Sequence, residues 1–125
     1  MAEVESLDRA ALDNLFKTVG EDRAFLAELL ESYFEDTPGQ LELMRTALEA
    51  GNADDLRRAA HTLKSNSASF GATALSSLCR DLEALGKSGE LAGASSHIEQ
   101  IEREYARVRH ALQAAGLAIQ ATSEQ

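Results

Sequence analysis

From Asp22 to about Ala50 the chain keeps a single helical phase, with Leu26, Leu29, Leu30, Tyr33, Phe34, Leu41, Met44 and Leu48 at spacings of three and four. A stripe this long cannot be buried by the helix that carries it. It requires other helices alongside, and so constrains the rest of the chain more than any other feature. Pro38, the only proline, falls inside the stretch. It lacks an N–H and its ring crowds the carbonyl four residues back, so a kink is expected near Asp36–Gly39. The phase runs through it unchanged, which predicts one bent helix, with a true break as the alternative.

Three further stripes answer the first. Leu56, Ala60, Leu63, Ser67 and Phe70 form the core face of a helix that starts after Gly51-Asn52 and stops at Gly71. Asn52, three residues before Asp55, has the side chain and position of a helix N-cap. Gly71 suits the left-handed position after a helix. Leu75, Leu78, Cys79, Leu82 and Leu85 mark a helix from about Ala72 to Leu85, ended by Gly86-Lys87-Ser88-Gly89. Ala94, Ile98, Ile101, Tyr105, Val108 and Leu112 mark another from about Leu91 to Ala115, with Glu and Arg on its outer faces. A short leading helix, about Ser6 to Thr18, carries Leu7, Ala11, Leu12, Leu15 and Phe16, with Ser6 as a candidate N-cap and Asp8 in its first turn. The weakly patterned tail, Gly116 to Gln125, is expected to fray. No strand pattern competes. The expected fold is all-α: an up-down-up-down antiparallel four-helix bundle with a short additional N-terminal helix, forming one domain whose bundle core spans about residues 22–115.

Composition closes off several function classes. The formal charge of -9, from 12 Lys+Arg against 21 Asp+Glu, lacks the basic footprint that nucleic-acid binding requires. No apolar run is long enough to cross a membrane and the N-terminus is acidic, so a cytoplasmic protein is expected. Cys79 is the only cysteine. It allows no intrachain disulfide and, lying in an apolar stripe, reads as a small buried hydrophobe. His97 and His110 have no histidine or cysteine at ligand spacing, and no glycine-rich phosphate loop is present, so neither a metal nor a cofactor is expected on this chain.

What remains is His61. It lies about 100° round from Ala60 and therefore off the core face. Arg57, Arg58 and Lys64 surround it in sequence, on a protein that is otherwise acidic. By spacing alone this is an exposed histidine in a charged helix; an imidazole so displayed is also a competent nucleophile.

The run HTLKSNSASFG, His61 to Gly71, resembles the motif of the histidine-containing phosphotransfer domains, the intermediate carriers of multistep His-Asp phosphorelays. The likeness extends to nearly the whole chain, as a short leading helix and four bundle helices with the histidine on the second of the four. The resemblance implies that His61 accepts a phosphoryl group on Nε2 from a receiver-domain aspartate and passes it to another, and that Lys64 offsets the phosphoryl charge. It implies a phosphocarrier without kinase activity of its own, partnered with receiver domains of response regulators or hybrid histidine kinases. The divalent metal would belong to the receiver. Family members usually have glycine where this chain has Ser65, one turn from the histidine; the added hydroxymethyl group either crowds the site or donates a hydrogen bond to a phosphoryl oxygen. Docking is expected on the face around His61, with Arg57, Arg58 and Ala68, and on the adjoining surface of the Pro38-containing helix. Turnover requires transient encounters, so a monomer is expected. The alternative is a non-catalytic module on the same fold that binds or sequesters receivers.

Overall fold

The computed structural model describes residues 7–123, with side chains to residue 115. It contains five helices: α1 (Arg9–Thr18), α2 (Arg23–Glu49), α3 (Ala53–Ser69), α4 (Thr73–Ser88) and α5 (Ala94–Ser123). No strand occurs among the described residues. α2 packs on α3, α3 on α4, α4 on α5, and α5 returns to α2, so the four long helices close a ring around one core. Short turns join consecutive members, which makes neighbours antiparallel. α1 lies outside the ring and touches α3.

The four stripes meet as predicted. Leu26, Leu30, Tyr33 and Met44 of α2 face Leu56, Ala60 and Leu63 of α3, Leu75, Cys79 and Leu82 of α4, and Ile98, Ile101, Tyr105, Val108 and Leu112 of α5. The Cys79 thiol is fully buried, and that burial pushes its pKa up to about 12, which leaves no thiolate to react. α2 is one helix of 27 residues with Pro38 inside it. The Thr37 hydroxyl, buried just before the proline, donates to the Tyr33 carbonyl at 2.7 Å, a back-bond that accompanies helix bending.

Asn52 caps α3 as expected, its side chain accepting from the Asp55 N–H at 3.0 Å. α1 is capped differently. Asp8 stands outside its first turn and accepts from the N–H groups of Ala10 and Ala11, while Ser6 lies outside the described residues. Gly71 has φ +77°, and a Cβ there would sit 2.7 Å from the Asp8 carbonyl. This glycine ends α3 and admits α1, whose Asp8 N–H donates to the Gly71 carbonyl at 2.6 Å.

α1 and α5 each begin three residues later than expected, at Arg9 and Ala94, and two C-terminal ends lie further on. α4 continues through Gly86 to Ser88 and ends on left-handed Gly89. α5 continues past Gly116 to Ser123, because that stretch contains no proline and is made largely of helix-favouring residues. Residues 124 and 125 lie outside the described residues.

Candidate functional site

His61 stands in the middle of α3 with its side chain 56% exposed, on the outer side of a helix whose opposite face is packed. Ser65 and Ala68 follow on the same side at successive turns, and both are exposed. Arg57 and Arg58 precede it, but their guanidinium groups turn to Asp54, at 2.9 and 3.0 Å. Hydrogen bonding from Arg57 holds the Asp54 carboxyl below the usual carboxylate range. The cationic neighbours that the sequence sets around the ring are therefore partly engaged elsewhere.

The group that meets the imidazole is a carboxylate. Glu83 reaches across from α4 and places Oε2 2.8 Å from His61 Nδ1 and Oε1 2.6 Å from Lys64 Nζ. One carboxylate thus bridges two side chains one turn apart on α3. The α3–α4 pairing that allows this is close. Ser76 of α4 donates to the Lys64 carbonyl at 3.1 Å, and a Cβ on Gly86 would lie 2.9 Å from the Ala53 carbonyl and from the backbone N and Cβ of Arg57. Gly86 is thus a contact point between helices, which explains a glycine inside α4.

The Glu83 pKa is lowered, first by the Lys64 hydrogen bond and then, against partial desolvation, by His61. An ionised carboxylate only accepts hydrogen bonds, so His61 Nδ1 is the donor and carries the ring proton. In the neutral imidazole the lone pair then belongs to Nε2, which forms no hydrogen bond among the described residues. The Lys64 hydrogen bond is the largest cause of the lowered Glu83 pKa. The arrangement is an imidazole open to solvent, a carboxylate that orients it and a cation that holds the carboxylate.

The Ser65 hydroxyl forms no hydrogen bond among the described residues; its carbonyl accepts from Ser69 Oγ at 3.2 Å. Ser67, two residues on and on the opposite side of the helix, is buried instead and shares a 2.8 Å hydrogen bond with the Tyr33 hydroxyl. His97 bonds the Gly93 carbonyl through Nδ1 at 3.1 Å, at the start of α5, and His110 is exposed on that helix. Neither approaches His61 through any hydrogen bond or ion pair. Among the described residues no group of three or more His, Cys, Asp or Glu side chains is placed to hold a metal ion, and no helix is long and apolar enough to cross a membrane.

Glu83 is the residue that sequence reasoning missed. Its only signal is a position next to core residue Leu82 on the flank of the stripe, where a carboxylate faces a neighbouring helix and not bulk solvent.

A helical bundle that displays an oriented imidazole on its outer surface has counterparts among known proteins. The model of the Hpt domain family matches residues 28–111, and the chain belongs to that family. The crystal structure of histidine-containing phosphotransfer protein B from Pseudomonas aeruginosa PAO1 is similar at 33% identity and a TM-score of 0.84, over 93% of this chain and 98% of that one. No curated protein matches. Members of the family are phosphorelay intermediates that interact with receiver domains and are phosphocarriers, not enzymes in the usual sense.

Proposed function

We propose that this chain carries a phosphoryl group on His61 Nε2 between receiver domains. The observation that supports this most directly is the hydrogen bond from His61 Nδ1 to ionised Glu83, because it leaves the Nε2 lone pair free on the exposed side of α3. Nε2 attacks the phosphorus of a receiver's aspartyl phosphate. The N–P bond forms as the P–O bond to the aspartate breaks, and the electron pair of that bond leaves with the carboxylate. Nδ1 keeps its proton, so the phosphorylated ring is positively charged and Glu83 offsets that charge, as carboxylates do beside imidazolium groups. Positive charge on the ring also makes it a good leaving group when a second aspartate attacks, which fits a carrier that must unload.

In this reading Lys64 acts twice. It holds the Glu83 carboxylate in place, and it keeps positive charge close to the incoming phosphoryl oxygens. Ser65, one turn from the ring with an uncommitted hydroxyl, donates to a phosphoryl oxygen. Arg58 and Ala68 line the docking face with His61, and Arg57 belongs to its α4 side. Receiver domains are the partners, each supplying its own aspartate and divalent metal. The domain acts as a monomer.

The test is phosphotransfer from a phosphorylated receiver domain. Wild-type chain should acquire acid-labile, base-stable phosphate and His61→Gln should acquire none. Tight binding without labelling across all receivers of the host would instead establish a sequestering module.

A further inference from the structure

A phosphoryl group on His61 brings about 1.5 to 2 negative charges at neutral pH, and the cations nearest to it in sequence are already engaged. Arg57 and Arg58 turn to Asp54, and Lys64 holds Glu83 at 2.6 Å. A protonated ring, Lys64, Glu83 and a dianionic phosphoryl group together leave about one negative charge over. The group that offsets it has to come from outside α3.

Arg80 of α4 is exposed and forms no ion pair or hydrogen bond among the described residues. Two contacts fix its level against α3. The Ser76 hydroxyl bonds the Lys64 carbonyl, and Gly86 abuts Ala53 and Arg57. The helices are antiparallel, so a step forward on α4 matches a step back on α3. Arg80, one turn past Ser76, therefore falls level with His61, about one turn before the Lys64 carbonyl. Around α4 it lies on the same side as Glu83, about 60° further from the core. His61 leans to that side too, because its Nδ1 bonds Glu83 at 2.8 Å. Nε2 and the Arg80 stem thus emerge on the solvent side of one seam at one level. Lys87, also exposed and unpaired on this side of α4, lies about 10 Å further along the helix axis.

We infer that Arg80 is a phosphoryl-binding residue: once His61 is phosphorylated, its guanidinium closes over the group and donates to two phosphoryl oxygens, while Lys64 stays on Glu83. The inference rests on the carrier reading, which supplies the phosphoryl group. A guanidinium is a planar fork whose N–H groups match two oxygens of a phosphate, and it is more weakly hydrated than an ammonium, which suits a contact at the surface. The two helices then divide the work. Glu83 and Lys64 orient the ring, and Arg80 holds what the ring carries. Because Arg80 has no partner before loading, it leaves no other contact when it closes.

The probe is phosphoramidate, a small donor that phosphorylates imidazole with loss of ammonia and so loads the full chain without a receiver. Phosphorus NMR follows each phosphohistidine, with the His61 signal assigned by its absence in His61→Gln and exposed His110 as the internal reference. Wild type should be labelled faster at His61 than at His110. Arg80→Ala should slow labelling at His61 about three- to tenfold and leave the His110 signal unchanged. It should also move the titration of the His61 phosphoryl group to higher pH, because losing a nearby cation disfavours the dianion. Arg80→Lys should restore most of the titration but less of the rate, since lysine supplies the charge without the fork. Lys87→Ala should behave like wild type. An unchanged rate and titration at His61 in Arg80→Ala, with native helicity, would overturn the inference. So would an equal loss in Lys87→Ala, which would assign the effect to net charge and not to contact. Failure of receivers to label His61 would count against the carrier reading alone, because phosphoramidate loading uses no receiver.

Discussion

α3 has two seams, and they are built from different materials. Against α4 it is joined by polar ties: the Glu83 carboxylate bridging His61 and Lys64, the Ser76 hydroxyl on the Lys64 carbonyl, and a backbone approach that only Gly86 permits. Against α2 it is joined through Tyr33, whose ring packs on Phe70 at the end of α3 and whose hydroxyl shares a hydrogen bond with buried Ser67. The first seam leaves little freedom and holds His61. The second opens into a cleft lined by Leu15, Leu29, Tyr33 and Phe70. Chemistry that depends on one proton's position needs fixed partners, whereas recognition of another protein tolerates a surface that adapts.

The contrast can be broken from either side. The largest effect should follow Glu83→Ala, which removes the acceptor that sets the His61 tautomer. A charge-assisted hydrogen bond is worth about 1.5–3 kcal/mol, so transfer should slow about 10- to 100-fold while receiver affinity stays the same. An unchanged rate would mean that orientation of the ring is not limiting. Gly86→Ala should come next. The added Cβ meets backbone atoms at 2.9 Å, α3 and α4 must part, and thermal unfolding should report a loss of about 1–3 kcal/mol together with slower transfer. Tyr33→Phe acts on the other seam. It strands the Ser67 hydroxyl in the core and should cost about 1 kcal/mol or somewhat more, with saturated transfer unaffected. The smallest effect should be a gain. Gly39→Ala on α2 meets nothing within 4 Å and should stabilise by about 0.5–1 kcal/mol, in contrast to the same change at Gly86.

The polar seam also has a pH signature. Because the folded-state pKa of Glu83 is depressed, its stabilisation is present above the ordinary carboxylate range and is lost as pH falls through the depressed value. The stability difference between wild type and Glu83→Gln should accordingly shrink in acid. A difference that is constant across that range would show that the charge of Glu83 does not contribute.

Most of the helical plan was legible because it rests on local rules. Periodicity located the stripes, Asn52 and Gly71 marked the ends of α3, and the unbroken phase through Pro38 indicated one helix. His61 was legible as the residue left off its own stripe. Glu83 was not, since its meaning depends on where α4 lies against α3, and a glutamate in a charged helix has no local mark of that. Gly86 misled for the same reason. In sequence a Gly-Lys-Ser-Gly run resembles a loop, yet the first glycine answers a neighbour more than two dozen residues away in the chain. Asp8 in place of Ser6 was a smaller miss, set by where α1 meets Gly71.

If His61 carries phosphate as proposed, the Glu83 bridge makes its reactivity conditional on folding. The histidine and the carboxylate that orients it belong to different helices, and sliding α4 by one residue, about 1.5 Å, is enough to part them. A molecule whose fourth helix has melted or slipped still contains its histidine but presents it in an unselected tautomer. Damaged copies would thereby drop out of the relay before they could trap phosphate, a form of quality control that needs no separate sensor.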